Sequence, residues 1–250
     1  MPQTATLSPV MHHAQRADLA AAFRWSARQN LHESVANHFS LAVNEAGTRF
    51  LINPRRHFAR IRASDLLEID ADDPATMERP DAPDPTAWGL HGAIHRRAPH
   101  ARCVMHLHPP FATVLASLAD SRLPAIDQNS AMFHNRHIVD DGYGGMAFEA
   151  EGERCAALLS DPQIIAMVMG NHGLLVIGRS VAEAFNRLYY FERAAETVIR
   201  ALQTGRPLRM LPHEVAEKTA REWESDAAFA EDHLREIKAV LQAEGSDFDA

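Results

Sequence analysis

The stretch Ala101 to Phe111, ARCVMHLHPPF, decides how this chain is read. An apolar run there is broken by two histidines spaced one residue apart. A β-strand sends alternate side chains to the same face, so His106 and His108 point the same way and can hold one metal ion. Pro109 and Pro110 end the strand and open a helix, since proline is accommodated in a first helical turn. The pair therefore lies at a strand end, where open sheets usually carry their sites. His172, in MGNHGLLVIG, sits in a polar turn between two apolar runs, at the rim of the sheet. Three imidazoles suit a catalytic divalent cation, typically held by three protein ligands with one position left open. Two buried imidazoles with no ligand would instead leave polar nitrogens to satisfy.

A competing pair lies on the helix expected over 86–97, where His91 and His95 are four apart and share a face. The metal-binding pattern H-E-x-x-H would need glutamate at position 92, and the chain has Gly92. His91 is read as a buttress for the strand site or as core. His134 and His137, near Arg136 and the loop Asp140 to Gly145, are candidates to line an active-site mouth, with no functional role as the alternative. His12, His13, His57, His100, His213 and His233 are expected to be solvated.

Outward from this centre, the periodicity predicts a helix from Gln15 to Gln29. A hairpin follows over Asn37–Val43 and Arg49–Ile52, then a short helical turn at 64–67 running into a strand to Asp70. Asp72 to Pro85, with four prolines, reads as a loop. The 86–97 helix takes Asp84 or Thr86 as N-cap. Further helices are expected from Pro110 to Leu118 and from Gly152 to Ser160, with buried strands over Ile164–Met169 and Leu174–Ile177. Ser180 and Glu183 form a capping box for a helix ending at Gly205, and a last helix spans Pro212 to Leu241. Strands mixed with such helices indicate an α/β domain over 14–250, a central sheet covered by helices, after a loose tail at 1–13.

The net charge of −8 argues against nucleic-acid binding but not against a small anionic substrate. Cys103 and Cys155 read as reduced, buried thiols of a cytosolic protein. The first residues lack the basic start and apolar run of a signal peptide. No stretch reaches about 18 apolar residues, so no membrane span is expected. A soluble, cytoplasmic protein follows.

The blocks SVANHFSLAV, FLINP, ASDLLEID, PTAWGLHGAIHRRAPHARCVMHLHPPFATVLASL and NHGLLVIG, in that order, resemble the class II aldolase/adducin family over nearly the whole chain. The resemblance implies a three-layer α/β/α sandwich around a mostly antiparallel sheet, usually assembled as a homotetramer. It also implies a divalent metal, typically zinc with manganese or another ion open, on histidines matching His106, His108 and His172. Family enzymes are lyases, cleaving by aldol chemistry or decarboxylation with an enolate stabilised by the metal; others are epimerases or dehydratases. Adducin-type heads are binding modules that have lost the full histidine set.

Two blocks depart from the family. Its sugar-phosphate aldolases carry Ser-Ser-Glu-Trp, with the glutamate as acid/base, where this chain has Pro85-Thr86-Ala87-Trp88. A methyl group moves no proton. The phosphate cradle keeps Asn37, with Ser34 and Thr86 as further donors, but Asn53-Pro54-Arg55-Arg56 replaces its glycine turn. Arg55 or Arg56 is then a candidate fork for a carboxylate or phosphate. For the missing acid/base, Glu33 comes first, followed by Asp127, Asp140, Asp141 and Tyr143. The function expected is a metal-dependent lyase on a small oxygenated carbonyl substrate, with a non-catalytic adducin-like module or a metal-dependent epimerase or dehydratase as the alternatives. Decarboxylation fits best, because it needs no initial proton abstraction.

Overall fold

The strand containing His106 lies inside a mostly antiparallel seven-stranded sheet. A computed structural model describes residues 11–145 and 148–250. The strands are β1 (His38–Ala42), β2 (Arg49–Ile52), β3 (Leu67–Asp70), β4 (Cys103–Leu107), β5 (His137–Asp140), β6 (Ala166–Met169) and β7 (Gly173–Gly178). They are ordered β3-β2-β1-β4-β7-β6-β5. Among the described residues, only β5 and β6 pair in parallel. Around them, among the described residues, are α1 (His13–Arg28), α2 (Pro85–Arg97), α3 (Pro110–Ala116), α4 (Gln128–Ala131), α5 (Phe148–Leu158), α6 (Val181–Gln203), α7 (His213–Ser225) and α8 (Ala227–Ala243).

Alternation along β4 builds the three layers. Cys103, Met105 and Leu107 pack with apolar residues of α1, α3, α6 and α8. Val104 packs on the opposite side with Leu90 and Ile94 of α2 and Cys155 of α5. His106 shares the parity of Val104 and so faces the α2/α5 layer. These two helices come very close, because a Cβ on Gly152 would collide with the Gly89 carbonyl. The α/β/α sandwich with a mostly antiparallel sheet is the architecture expected.

Several elements differ from the sequence reading. The helix expected from Pro212 to Leu241 is two helices, broken at Asp226, whose carboxylate accepts the Phe229 N–H and caps α8. A short acidic side chain competes for backbone donors and favours a cap over a helix interior. The capping box at Ser180 is half formed. Ser180 accepts the Glu183 N–H, but the Glu183 carboxylate takes the Arg179 N–H instead of the serine's own. The proline-rich loop contains a 3-10 turn, Pro74–Glu78, capped by Asp73. Asp84, not Thr86, caps α2. Strand β5 and the one-turn α4 carried too short a pattern to be anticipated. Residues 1–10 of the expected tail lie outside the described residues, and its last residue, His13, opens α1. No helix among the described residues is long and apolar enough to cross a membrane.

Candidate metal centre

His106 is 2% exposed and held in register between β1 and β7, opposite His38 and Leu175. Its Nδ1 lies 3.1 Å from the Leu174 carbonyl oxygen, which can only accept. Nδ1 therefore carries the proton and Nε2 a lone pair. His108 lies one residue past the strand, and its Nδ1 is 2.7 Å from the Glu33 carboxylate. The same reasoning leaves its Nε2 bare, 3.3 Å from Nε2 of His106. The ring fits there because position 173 is glycine: a Cβ would lie 2.5 Å from His108 Cδ2. Across the β6–β7 turn, left-handed Asn171 donates its N–H to the Ala116 carbonyl and so ties the turn to α3. The next residue, His172, brings its ring centroid to 4.8 and 4.9 Å from those of His106 and His108.

One nitrogen from each of the three rings lies within 4.8 Å of the other two. His172 Nδ1 is buried without a hydrogen-bond partner, 3.5 Å from Glu151 Oε1. The two facing lone pairs of His106 and His108 repel one another in the absence of a cation and suit one in its presence. The donor set fits a borderline metal such as zinc, and the Glu33 carboxylate and Leu174 carbonyl are the outer partners such ligands usually have. Burial first, and neighbouring histidines second, push the His106 pKa well below its ordinary value. Burial also lowers that of His108, prevailing over the opposing hydrogen bond from Glu33. Both rings are thus neutral at physiological pH, the form that metal ligation requires.

The trio opens on a cavity of about 570 Å³, bordered also by His38, Arg55, Thr86, Tyr143 and Glu151. Arg55 stands on its rim, donating from Nε to Asp84 at 2.9 Å. Thr86 reaches the same carboxylate through Oγ1 at 2.5 Å. The Tyr143 ring lies 5.7 Å from that of His172 and is 46% exposed. Asn37 holds the approach segment by accepting the Glu33 N–H at 2.6 Å, and its Nδ2 is buried and unpaired. Ser34, in a left-handed conformation, does not border the cavity. Nor does Asp127, whose carboxylate caps α4 by accepting from Ser130 N. Asp140 is buried against Arg154. Ala87 packs on Phe50 and Ile52. His134 and His137 border a different cavity, of about 710 Å³ near Leu115 and Leu208, instead of the mouth of this one. That cavity brings no comparable ligand cluster together among the described residues.

Two bordering residues escaped the sequence reading. His38 has the same strand alternation as His106, but the signal lies in which strands pair. Glu151 lies near the start of α5, and nothing local in its sequence marks it.

Residues 17–199 match the family Class II Aldolase and Adducin N-terminal domain. A putative aldolase class 2 protein from Caulobacter vibrioides is 30% identical over 208 residues, 82% of this chain and 79% of that protein. Decarboxylase NovR from Streptomyces niveus is 28% identical over 206 residues, 81% of this chain and 75% of that protein. The crystal structure of an aldolase II superfamily protein from Pseudomonas syringae superimposes with a TM-score of 0.85 at 29% identity, covering 98% of each chain.

Proposed function

We propose that this chain, which belongs to the class II aldolase and adducin family, is a divalent-metal-dependent carbon–carbon lyase acting on a small carbonyl acid. The observation that carries the reading is the convergence of His106, His108 and His172, with one nitrogen from each within 4.8 Å of the others. Zinc is the ion assigned, from the imidazole donor set, and manganese is the second candidate. When bound, the cation supplies a Lewis acid that stabilises negative charge on a substrate oxygen.

The chain's own residues do the remaining work. The Leu174 carbonyl and Glu33 hold His106 and His108 in the tautomer that presents Nε2. Glu33 is therefore assigned to orienting His108, where the sequence reading had placed proton transfer. Arg55, at the rim, can leave its pairing with Asp84 to fork a substrate carboxylate, and Thr86 and Tyr143 offer hydroxyls beside it. Asp84 is occupied by Arg55 and by the start of α2, and Ala87 offers no carboxylate. Decarboxylation is favoured over aldol cleavage for this reason: the C–C bond electrons move to the carbonyl as CO₂ leaves, with no proton to be abstracted first. The relative named as a decarboxylase agrees with that choice.

The second reading is a non-catalytic, adducin-like binding module, favoured by the adducin part of the family; a metal-dependent epimerase or dehydratase is the third. Elemental analysis of the purified protein, followed by a panel of keto and hydroxy acids assayed for CO₂ and aldehyde release, separates the three. A protein that takes up no metal and is unchanged by His106→Ala is a scaffold. Full metal occupancy with turnover of no carbonyl acid refutes the lyase. We place residues 14–250 in one domain of a cytoplasmic homotetramer, which light scattering and cell fractionation test.

A further inference from the structure

Behind the trio lies a second row of histidines that the lyase reading leaves without a role. Strand β1 turns His38 and Ser40 towards α2, on the face shared with His106. Helix α2 lays His91 and His95, one turn apart, onto them. The result is an unbroken chain. His38 Nδ1 is 2.7 Å from His91 Nε2, His91 Nδ1 is 2.5 Å from Ser40 Oγ, and Ser40 Oγ is 2.7 Å from His95 Nε2. All four residues are buried, at 4% exposure or less. Only His38 borders the cavity, with its ring centroid 5.0 Å from that of His106. Its Nδ1 is occupied by His91, so Nε2 is the nitrogen left for a ligand.

Such a chain has a direction, because a hydroxyl carries one proton. A serine accepting from both imidazoles would leave that proton without an acceptor. In one sense, His95 Nε2–H donates to Ser40, Ser40 to His91 Nδ1, and His91 Nε2–H to His38 Nδ1, which leaves the His38 proton on Nε2. The opposite sense would aim a further lone pair into a cavity that already holds those of His106 and His108.

We propose that His38 contacts the substrate, its Nε2–H donating to the oxygen that gains negative charge, and that His91, Ser40 and His95 are positioning residues that hold this tautomer. The identity of that oxygen rests on the lyase reading; the direction of the chain does not. Neutron diffraction from deuterium-exchanged protein locates each proton. Deuterons on Nε2 of His38, His91 and His95 are expected, and one on His38 Nδ1 overturns the proposal. Titration calorimetry with oxalate, a planar dianion shaped like the enolate of a small keto acid, reads the contact itself in zinc-loaded protein. His38→Leu should weaken oxalate by about tenfold or more with zinc stoichiometry unchanged. Ser40→Ala should weaken it less and spread the His38 deuteron over both nitrogens. Oxalate bound as tightly by folded, zinc-loaded His38→Leu as by the native protein overturns the contact. A native protein that takes up no divalent metal refutes the lyase reading instead, and the deuteron positions still decide the tautomer.

Discussion

His106, His108 and His172 and, one layer behind them, His38, His91 and His95 are made of the same side chain and treated in opposite ways. In the front group, two rings bond backwards to fixed acceptors, the Leu174 carbonyl and Glu33, and present bare nitrogens to one another. In the rear group the rings bond to one another, His91 to His38 directly and to His95 through Ser40, which leaves His38 Nε2 for the cavity. Whether an imidazole presents a bare nitrogen is thus set by where its other nitrogen finds a partner. Counting histidines does not reveal it.

The largest effect should come from His106→Ala, which removes a front ligand. Metal content should collapse and turnover fall by about three orders of magnitude, several kcal/mol of lost Lewis-acid stabilisation. Unchanged metal occupancy would erase the distinction between the two groups.

Acid should break both groups. Burial holds His91 and His106 well below the ordinary pKa and pushes His38 and His95 down to about 3. Each ring takes up a proton near 6.5 once the chain unfolds. The unfolded state therefore binds more protons below that pH. The stability is whole above about 6.5 and is lost as pH falls towards 3, by about 1.4 kcal/mol per pH unit for each ring. Melting of metal-free protein from pH 7 to 5 measures it, and a flat Tm contradicts it.

Next comes His91→Leu, which orphans His38 Nδ1 and leaves the Ser40 hydroxyl proton without its acceptor, at about 1–3 kcal/mol each. The Tm should drop while zinc stoichiometry holds; parallel loss of zinc would mean the rows are not separable. Glu33→Gln should do the reverse, weakening metal binding by about 10- to 100-fold with little change in melting. Competition with a chelator reads the affinity. Smallest is Asp84→Ala, which removes the α2 cap at a cost of about 1 kcal/mol in chemical denaturation and leaves metal affinity as it was. A large metal effect there would tie the cap to the front group.

Most of this scaffold could be read in advance because strand and helix periods are local properties. The hairpin of β1 and β2, the capped start of α2 and the proline-opened α3 all sit within two residues of their expected places. At Asp226 the sequence pattern and the structure part, because Ala-Phe-Ala beyond it continues a helical pattern and one cap decides the break. Asp127 fitted the search for an acid by residue type, and its role as a cap emerged only from the Ser130 contact.

By itself the sequence determined that His106 and His108 share a face, since alternation along a strand is dictated by backbone geometry. It also placed His172 in a turn, because Gly-Asn-His-Gly cannot extend either apolar run. Only the tertiary structure decided that β7 lies beside β4 and carries that turn to the same strand end. It alone set His38 opposite His106 and swung Glu33 onto His108. Those meetings join residues up to 75 positions apart, and no local preference encodes them: sheet pairing and layer packing, which act on the whole chain at once, bring them together.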